Sequence, residues 1–325
     1  MVYDDKNAKR LSIIGERPAF GLAVTEIAEG DPNVVVVVAD TTSSAGLERM
    51  KALLPEQIIN VGIAEQNMMG IATGLASEGY TVITATFAPF QSMRCLEQIR
   101  VYQGYMRQKV IMVGLASGVA YGELGFTHCS IEDVSIIGSI PNIAVVTPAD
   151  CFEVVKCVEA AIKYDRSVYI RLMDTVNVPI VFREDYNFEI GKAVRLLAGK
   201  EAAIICNGTM VSASLKAAEM LKNDTGIEAA VYDMHTTKPI DNELLADLID
   251  DFKVIFTVEE HSIHGGLGTA VADHYSGYAV HPQIIKMGIP DEYCHGASHE
   301  AILDEYGLTA EGIYKRIKKF MEEKK

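Results

Sequence analysis

Five unbroken apolar runs, rich in β-branched residues, recur through the first half of the chain. They are NVVVVVAD at 33–40, TVITATF at 81–87, KVIMVGLA at 109–116, NIAVVTP at 142–148 and SVYIRL at 167–172. None alternates apolar with polar, so each predicts a strand covered on both faces. Between them, helical patterns run over 21–30, 63–79, 89–106 and 150–165. Buried strands separated by helices predict an open, mostly parallel α/β sheet. The segment 173–193 carries Pro, Asn and charge without period, and reads as a linker with an antiparallel excursion. The pattern then restarts. Strands are predicted at 202–208, 226–234, 253–260 and 281–289, with helices at 212–224, 242–252, 268–276 and from 310 to the end. The expected architecture is two α/β domains, at 1–189 and 190–325.

Composition narrows the function without naming it. The chain has 325 residues, 49% of them hydrophobic, and a net charge of −15. So acidic a surface opposes broad contact with nucleic acid, although a few local arginines can still bind a small anion. No apolar run approaches the roughly 18–20 residues of a membrane span, and the start MVYDDKNAKR has no signal-like core. A cytoplasmic protein is expected. Cys95, Cys129, Cys151, Cys157, Cys206 and Cys294 form no CxxC pair, and several stand in apolar runs. They are expected to be buried free thiols.

Ligands of open parallel sheets bind beyond the carboxyl ends of the strands. Several polar and aromatic residues fall there. Asp40 to Ser44 follow the first run, Phe87 and Phe90 the second, and His128 lies in the Gly-rich loop after the third. Arg171 ends SVYIR, and Glu65 follows the short IINVG. Each has a bland alternative: aromatic core filler, a loop histidine in solvent, a surface ion pair. Glu65 is the most pointed. It stands among Val61, Ile63, Met68 and Met69, and Gly62 three residues earlier rules out a capping box. A buried carboxylate needs a polar partner.

Taken in order, VGIAEQNMMGIATGLASEG, TFAPFQSMRCLEQIR, GELGFTHCSIEDV, IPNIAVVTPAD and SVYIRL resemble the pyrimidine-binding half of transketolases and of the related deoxyxylulose-phosphate synthases. CNGTMVSASLKAAEML, VYDMHTTKPID and FTVEEHSIHGGLGTAV resemble the C-terminal domain of that family. The resemblance implies transfer of a two-carbon ketol unit between sugar phosphates with thiamine diphosphate as cofactor. It makes Glu65 the acid that meets the aminopyrimidine ring nitrogen. Phe87, Phe90 and Met93 become walls of the pyrimidine slot, and His128 a proton-handling group at the donor oxygens. Arg17, Ser44 and Arg171 fall where the family holds a substrate phosphate.

The family's GDG motif for Mg²⁺ and diphosphate does not occur. A split enzyme is therefore expected, with Mg²⁺ and the diphosphate on a separate subunit and an α₂β₂ assembly. Where transketolases usually carry an aspartate and a histidine in the loop, Leu124 and Ala116 stand here. A different, shorter or branched acceptor is implied. The rival readings are a 2-oxo acid dehydrogenase β subunit, a deoxyxylulose-phosphate synthase and a silent α/β module. His261 and His264 in HSIHGG lack an evident third ligand for a metal, and GGLG at 265–268 reads as a close-packed turn.

Overall fold

The computed structural model describes residues 2–173 and 176–324. In the first half, helices α1 (Asp5–Ile14) and α2 (Glu16–Gly30) precede strand β1 (Val34–Val38). Then come α3 (Glu48–Leu53), β2 (Ile58–Asn60), α4 (Glu65–Ser77), β3 (Thr81–Phe87), α5 (Ala88–Gln91) and α6 (Leu96–Ile99). The π-helical turn Arg100–Tyr105 leads to β4 (Val110–Leu115), α7 (Asp133–Gly138), β5 (Ile143–Val146), α8 (Cys151–Lys163) and β6 (Ser167–Arg171). The second half runs β7 (Val194–Leu197), β8 (Ala202–Cys206), α9 (Met210–Thr225), β9 (Ala229–Asp233), β10 (Thr236–Lys238) and α10 (Asn242–Asp251). It ends with β11 (Val254–Ser262), α11 (Leu267–Tyr275), β12 (Gln283–Ile289), α12 (His299–Glu305) and α13 (Ala310–Glu323).

Two sheets result, seven-stranded in the order β10-β5-β6-β4-β3-β1-β2 and five-stranded in the order β12-β11-β8-β9-β7. All pairings are parallel except β10 with β5 and β7 with β9. The run VVVVV explains itself. Val34, Val36 and Val38 pack into one core layer, and Val35 and Val37 into the layer on the other face. Burial on both faces removes any selection for alternation. The six cysteines are buried and free, as expected.

The structure departs from the expected elements at instructive places. The helix expected over 89–106 is broken into α5, a turn at Ser92–Cys95, α6 and the π-helical turn. Strand β10 comes from the second half yet pairs with β5 of the first, Thr236 opposite Val146. Of the expected linker, Asp174 and Thr175 lie outside the described residues. Residues 176–193 form no regular element but are tied down as a strap. The Asp150 carboxylate accepts from the N–H groups of Val181 and Phe182 at 2.8 and 2.9 Å, while its other oxygen caps α8 through Glu153 N. Glycines 265 and 266 lead into α11, whose first N–H groups, on Leu267 and Gly268, donate to the Glu259 carboxylate. That helix start is filled by the protein's own anion.

Candidate active site

Parallel pairing of β2, β1, β3, β4 and β6 brings the loops after these strands to one edge of the sheet. The approach to Glu65 is set by Asn60, whose side-chain oxygen accepts from Asp40 N and Gly62 N, both at 3.0 Å. Gly62 takes a φ of +73°, and the chain turns there into α4 with Glu65 as its first residue. Met68, Met69 and Ala72 anchor the helix in the core. Glu65 is only 5% exposed. The polar partner its burial demands is Arg94, whose Nη1 donates to Oε1 across 2.7 Å. The same guanidinium lies 3.9 Å from the centroid of the Phe90 ring. Sequence reading missed Arg94 because it placed the residue mid-helix. The break at Ser92–Cys95 is what turns it back over Phe90.

Aromatic contacts continue the chain of neighbours. Phe90 meets Phe87 edge-on at 6.1 Å and the His128 ring at 5.7 Å, and Phe87 meets Tyr121 at 5.5 Å. Phe87, Phe90 and His128 are half-buried, and Met93 is exposed beside Arg94. The structure thus gathers Glu65, Phe87, Phe90 and His128 into one cluster around Arg94. Ile63, two residues before Glu65, and Phe126, two residues before His128, stand exposed. Arg17 and Ser44 meet each other in the loop after β1, where Arg17 Nη1 donates to the Ser44 carbonyl at 2.9 Å.

Arg171, expected beside the substrate phosphate, does not present a free anion-binding fork in this structure. It ends β6 as anticipated but is 2% exposed. Its Nε donates to the Asp133 carboxylate, and its Nη2 to the carbonyls of Ser130 and Glu260, at 3.0 and 2.8 Å. Burial alone would depress the guanidinium, but Asp133 and Glu260 hold it above its ordinary value. Tyr169 adds a hydrogen bond to Asp133 at 2.8 Å. Ala116 is fully buried, whereas Leu124 is exposed in the His128 loop. Among the described residues no three His, Cys, Asp or Glu side chains gather as a metal set, and no helix is long and apolar enough to cross a membrane.

A carboxyl shielded from water beside a slot of half-buried rings, on the carboxyl edge of a parallel sheet, suits a flat heterocycle with a ring nitrogen. Comparison with known proteins agrees. Residues 14–175 match the family described as transketolase, pyrimidine binding domain, and residues 191–313 the transketolase C-terminal domain. The chain is 38% identical over 312 residues to an apulose-4-phosphate transketolase subunit of Phocaeicola vulgatus, covering 96% of this chain and 99% of that one. It is 33% identical over 299 residues to a 6-deoxy-6-sulfo-D-fructose transketolase subunit of a Clostridium species, covering 92% of each. Among solved structures, a split gene transketolase described as an inactive β4 tetramer superposes with a TM-score of 0.83 at 36% identity, over 94% of this chain and 97% of that one. The chain belongs to the transketolase family, whose chemistry depends on thiamine diphosphate. It is a transketolase-type enzyme subunit of the split kind, which works with a partner subunit. The deoxyxylulose-phosphate synthase reading is the weaker one, since these full-length relatives are transketolase subunits.

Proposed function

We propose that the chain forms the pyrimidine side of a thiamine diphosphate site, completed by a partner subunit that carries Mg²⁺ and the diphosphate, in an α₂β₂ assembly. The bound cofactor supplies the nucleophilic carbon that carries a two-carbon ketol unit between sugar phosphates. This chain's residues do the rest. Glu65 holds a proton at the ring nitrogen, in a position that Arg94 covers in the free chain. Phe87 and Phe90, with Met93 at the rim, exclude water and fix the ring plane. His128 lies 5.7 Å from Phe90 and moves a proton at the donor hydroxyl. Arg17 and Ser44 support the sugar phosphate; an arginine fork suits phosphate geometry.

The observation that carries this reading is the buried Glu65 carboxyl beside Phe90. The test is reconstitution with a diphosphate-binding subunit. Glu65→Gln is expected to lower kcat by roughly 10²–10⁴-fold while the assembly elutes unchanged in gel filtration. Full activity in that variant overturns the reading. The two relatives above carry different sugars in their names. Their divergence supports leaving the acceptor to Leu124 and its neighbours rather than to the family as a whole.

A further inference from the structure

The loop that carries His128 leaves β4 and returns at Ser130, and its neck is closed by paired bonds. Gly118 N donates to Ser130 O at 3.0 Å, and Ser130 N donates back at 2.8 Å. The carboxyl end of β11, from the C-terminal domain, crosses this neck and holds both sides of it. The Glu260 carboxylate accepts from Val119 N at 2.8 Å, and Ser262 N donates to Ile131 O at 2.8 Å. Arg171 stitches across, donating to the carbonyls of Ser130 and Glu260 alike. Gly118 is left-handed at φ +61°, and a Cβ there would lie 2.3 Å from Glu260 Oε1. At Gly122 a Cβ would lie 2.6 Å from the Ala297 carbonyl, just before α12. The neck is thus shaped, with no room for side chains, around a carboxylate and a segment of the other domain.

Glu260 is buried, and a buried charge is costly unless it is fully partnered. Its remaining partners are Thr209 Oγ1 at 3.2 Å and His299 Nε2 at 3.0 Å from Oε1 and 3.1 Å from Oε2. His299 is partly open to solvent, at 22% side-chain exposure. We infer that the C-terminal domain holds the His128 loop in place through Glu260 and His299, as positioning residues whose grip depends on the charge of His299.

The direction of that dependence is set by the pair. Glu260 raises His299 above its ordinary value, against the opposing effect of burial. Burial would raise Glu260, but His299 pulls it below its ordinary value. The charged pair is therefore present below the ordinary histidine range and is lost as pH climbs through the raised His299 value. The groups facing the pair do not mask this. Arg171 stays charged, burial pushes the Cys129 thiol up to about 11 and Cys294 up as well, and burial lowers His261 to about 4. Glu132 is raised by burial but hydrogen-bonded by Tyr293, and His295 is occupied by Glu305 at 3.2 Å.

The inference rests on the proposed role of His128 only for its effect on catalysis, so the test has two arms. In the first, amide hydrogen exchange over 117–131 is followed in the full chain across about pH 6 to 9, after correction for intrinsic exchange. The wild-type loop is expected to lose protection with rising pH. Glu260→Ala should lose at least about tenfold in protection at Val119, and His299→Asn should flatten the pH dependence. Because Glu260→Ala removes a buried group, His299→Asn and Thr209→Val, both at partly exposed positions, keep the test open if it fails to fold. In the second arm, the reconstituted enzyme carrying His299→Asn should lose an alkaline limb of kcat, with cofactor affinity unchanged. Unaltered exchange in Glu260→Ala and His299→Asn overturns the clamp. Altered exchange with an unaltered kcat profile upholds the clamp and overturns the catalytic role given to His128.

Discussion

Arg94 binds Glu65 and stacks on Phe90 with the same guanidinium, 2.7 Å from the carboxylate and 3.9 Å from the ring centroid. One side chain therefore covers both the acid and the wall of the slot. Its own exposure, 44%, leaves it free to move. Replacing Arg94 with Met keeps apolar contact with Phe90 and removes the competing N–H. We expect thiamine diphosphate to bind the reconstituted complex several-fold more tightly, as measured by calorimetry. The lone chain should lose about 1–3 kcal/mol in urea unfolding, because Glu65, only 5% exposed, is left without its partner. Weaker cofactor binding would instead make Arg94 a ligand of the cofactor or substrate.

Arg171 behaves as a structural rivet. Removing one partner of a buried ion pair strands the other, at about 3–5 kcal/mol. Arg171→Lys cannot reach Asp133, Ser130 and Glu260 together, so its unfolding temperature should drop by more than about 6 °C. Tyr169→Phe, which deletes one hydrogen bond to the same Asp133, should cost about 1 kcal/mol. An Arg171→Lys chain as stable as the parent, with a raised KM for the sugar phosphate, would return the residue to the phosphate site.

A further buried carboxyl, Glu153 of α8, lies near Asp233 of β9. Glu153 accepts from Tyr186 Oη and from Ala149 N, and it faces Asp233. Burial pushes Glu153 up to about 7. Burial and the Glu153 charge push Asp233 well above the usual carboxylate range. Both are raised in the folded chain, whereas an unfolded carboxyl ionises near about 4. The stabilisation is complete below that value and is lost as pH rises through the folded ones. Thermal unfolding should therefore fall between about pH 5.5 and 8.5. Asp233→Asn, which donates without titrating, should reduce that slope and gain at least about 2 °C at the alkaline end. An unchanged slope would show that the pair is not linked to folding.

Leu124 stands exposed in the His128 loop. If the acceptor passes it, Leu124→Asp should favour acceptors with a hydroxyl at that point. We expect a shift of roughly tenfold or more in relative kcat/KM, read by competing two acceptors in one assay. An unaltered ratio would place the acceptor elsewhere.

The parallel framework was legible because residues such as Val34–Val38 are buried on both faces, leaving an unbroken apolar run. Glu65 was legible as an anomaly, a charge with no local capping partner. Its actual partner was not, because Arg94 reaches it through a helix break that side-chain periodicity does not register. Arg171 was placed at the right strand end, but its protein partners were not legible. Nothing local to SVYIR announces Asp133, 38 residues earlier, or the β11 carbonyl that it also serves. Strand β10 is three residues long, too short for any period. Glu260 looked like one more residue of a strand, and only the fold brings it to Val119.

That three-residue strand has an outcome for how such an enzyme can be divided. With Thr236–Lys238 laid along β5, the backbone edge of Ile143–Val146 is covered by the other half of the same polypeptide. Cutting the chain near residue 190 would bare that edge and invite sticking between copies. A division that keeps both halves on one polypeptide leaves the seam intact, whereas one near residue 190 would not. The two halves are bound to travel together.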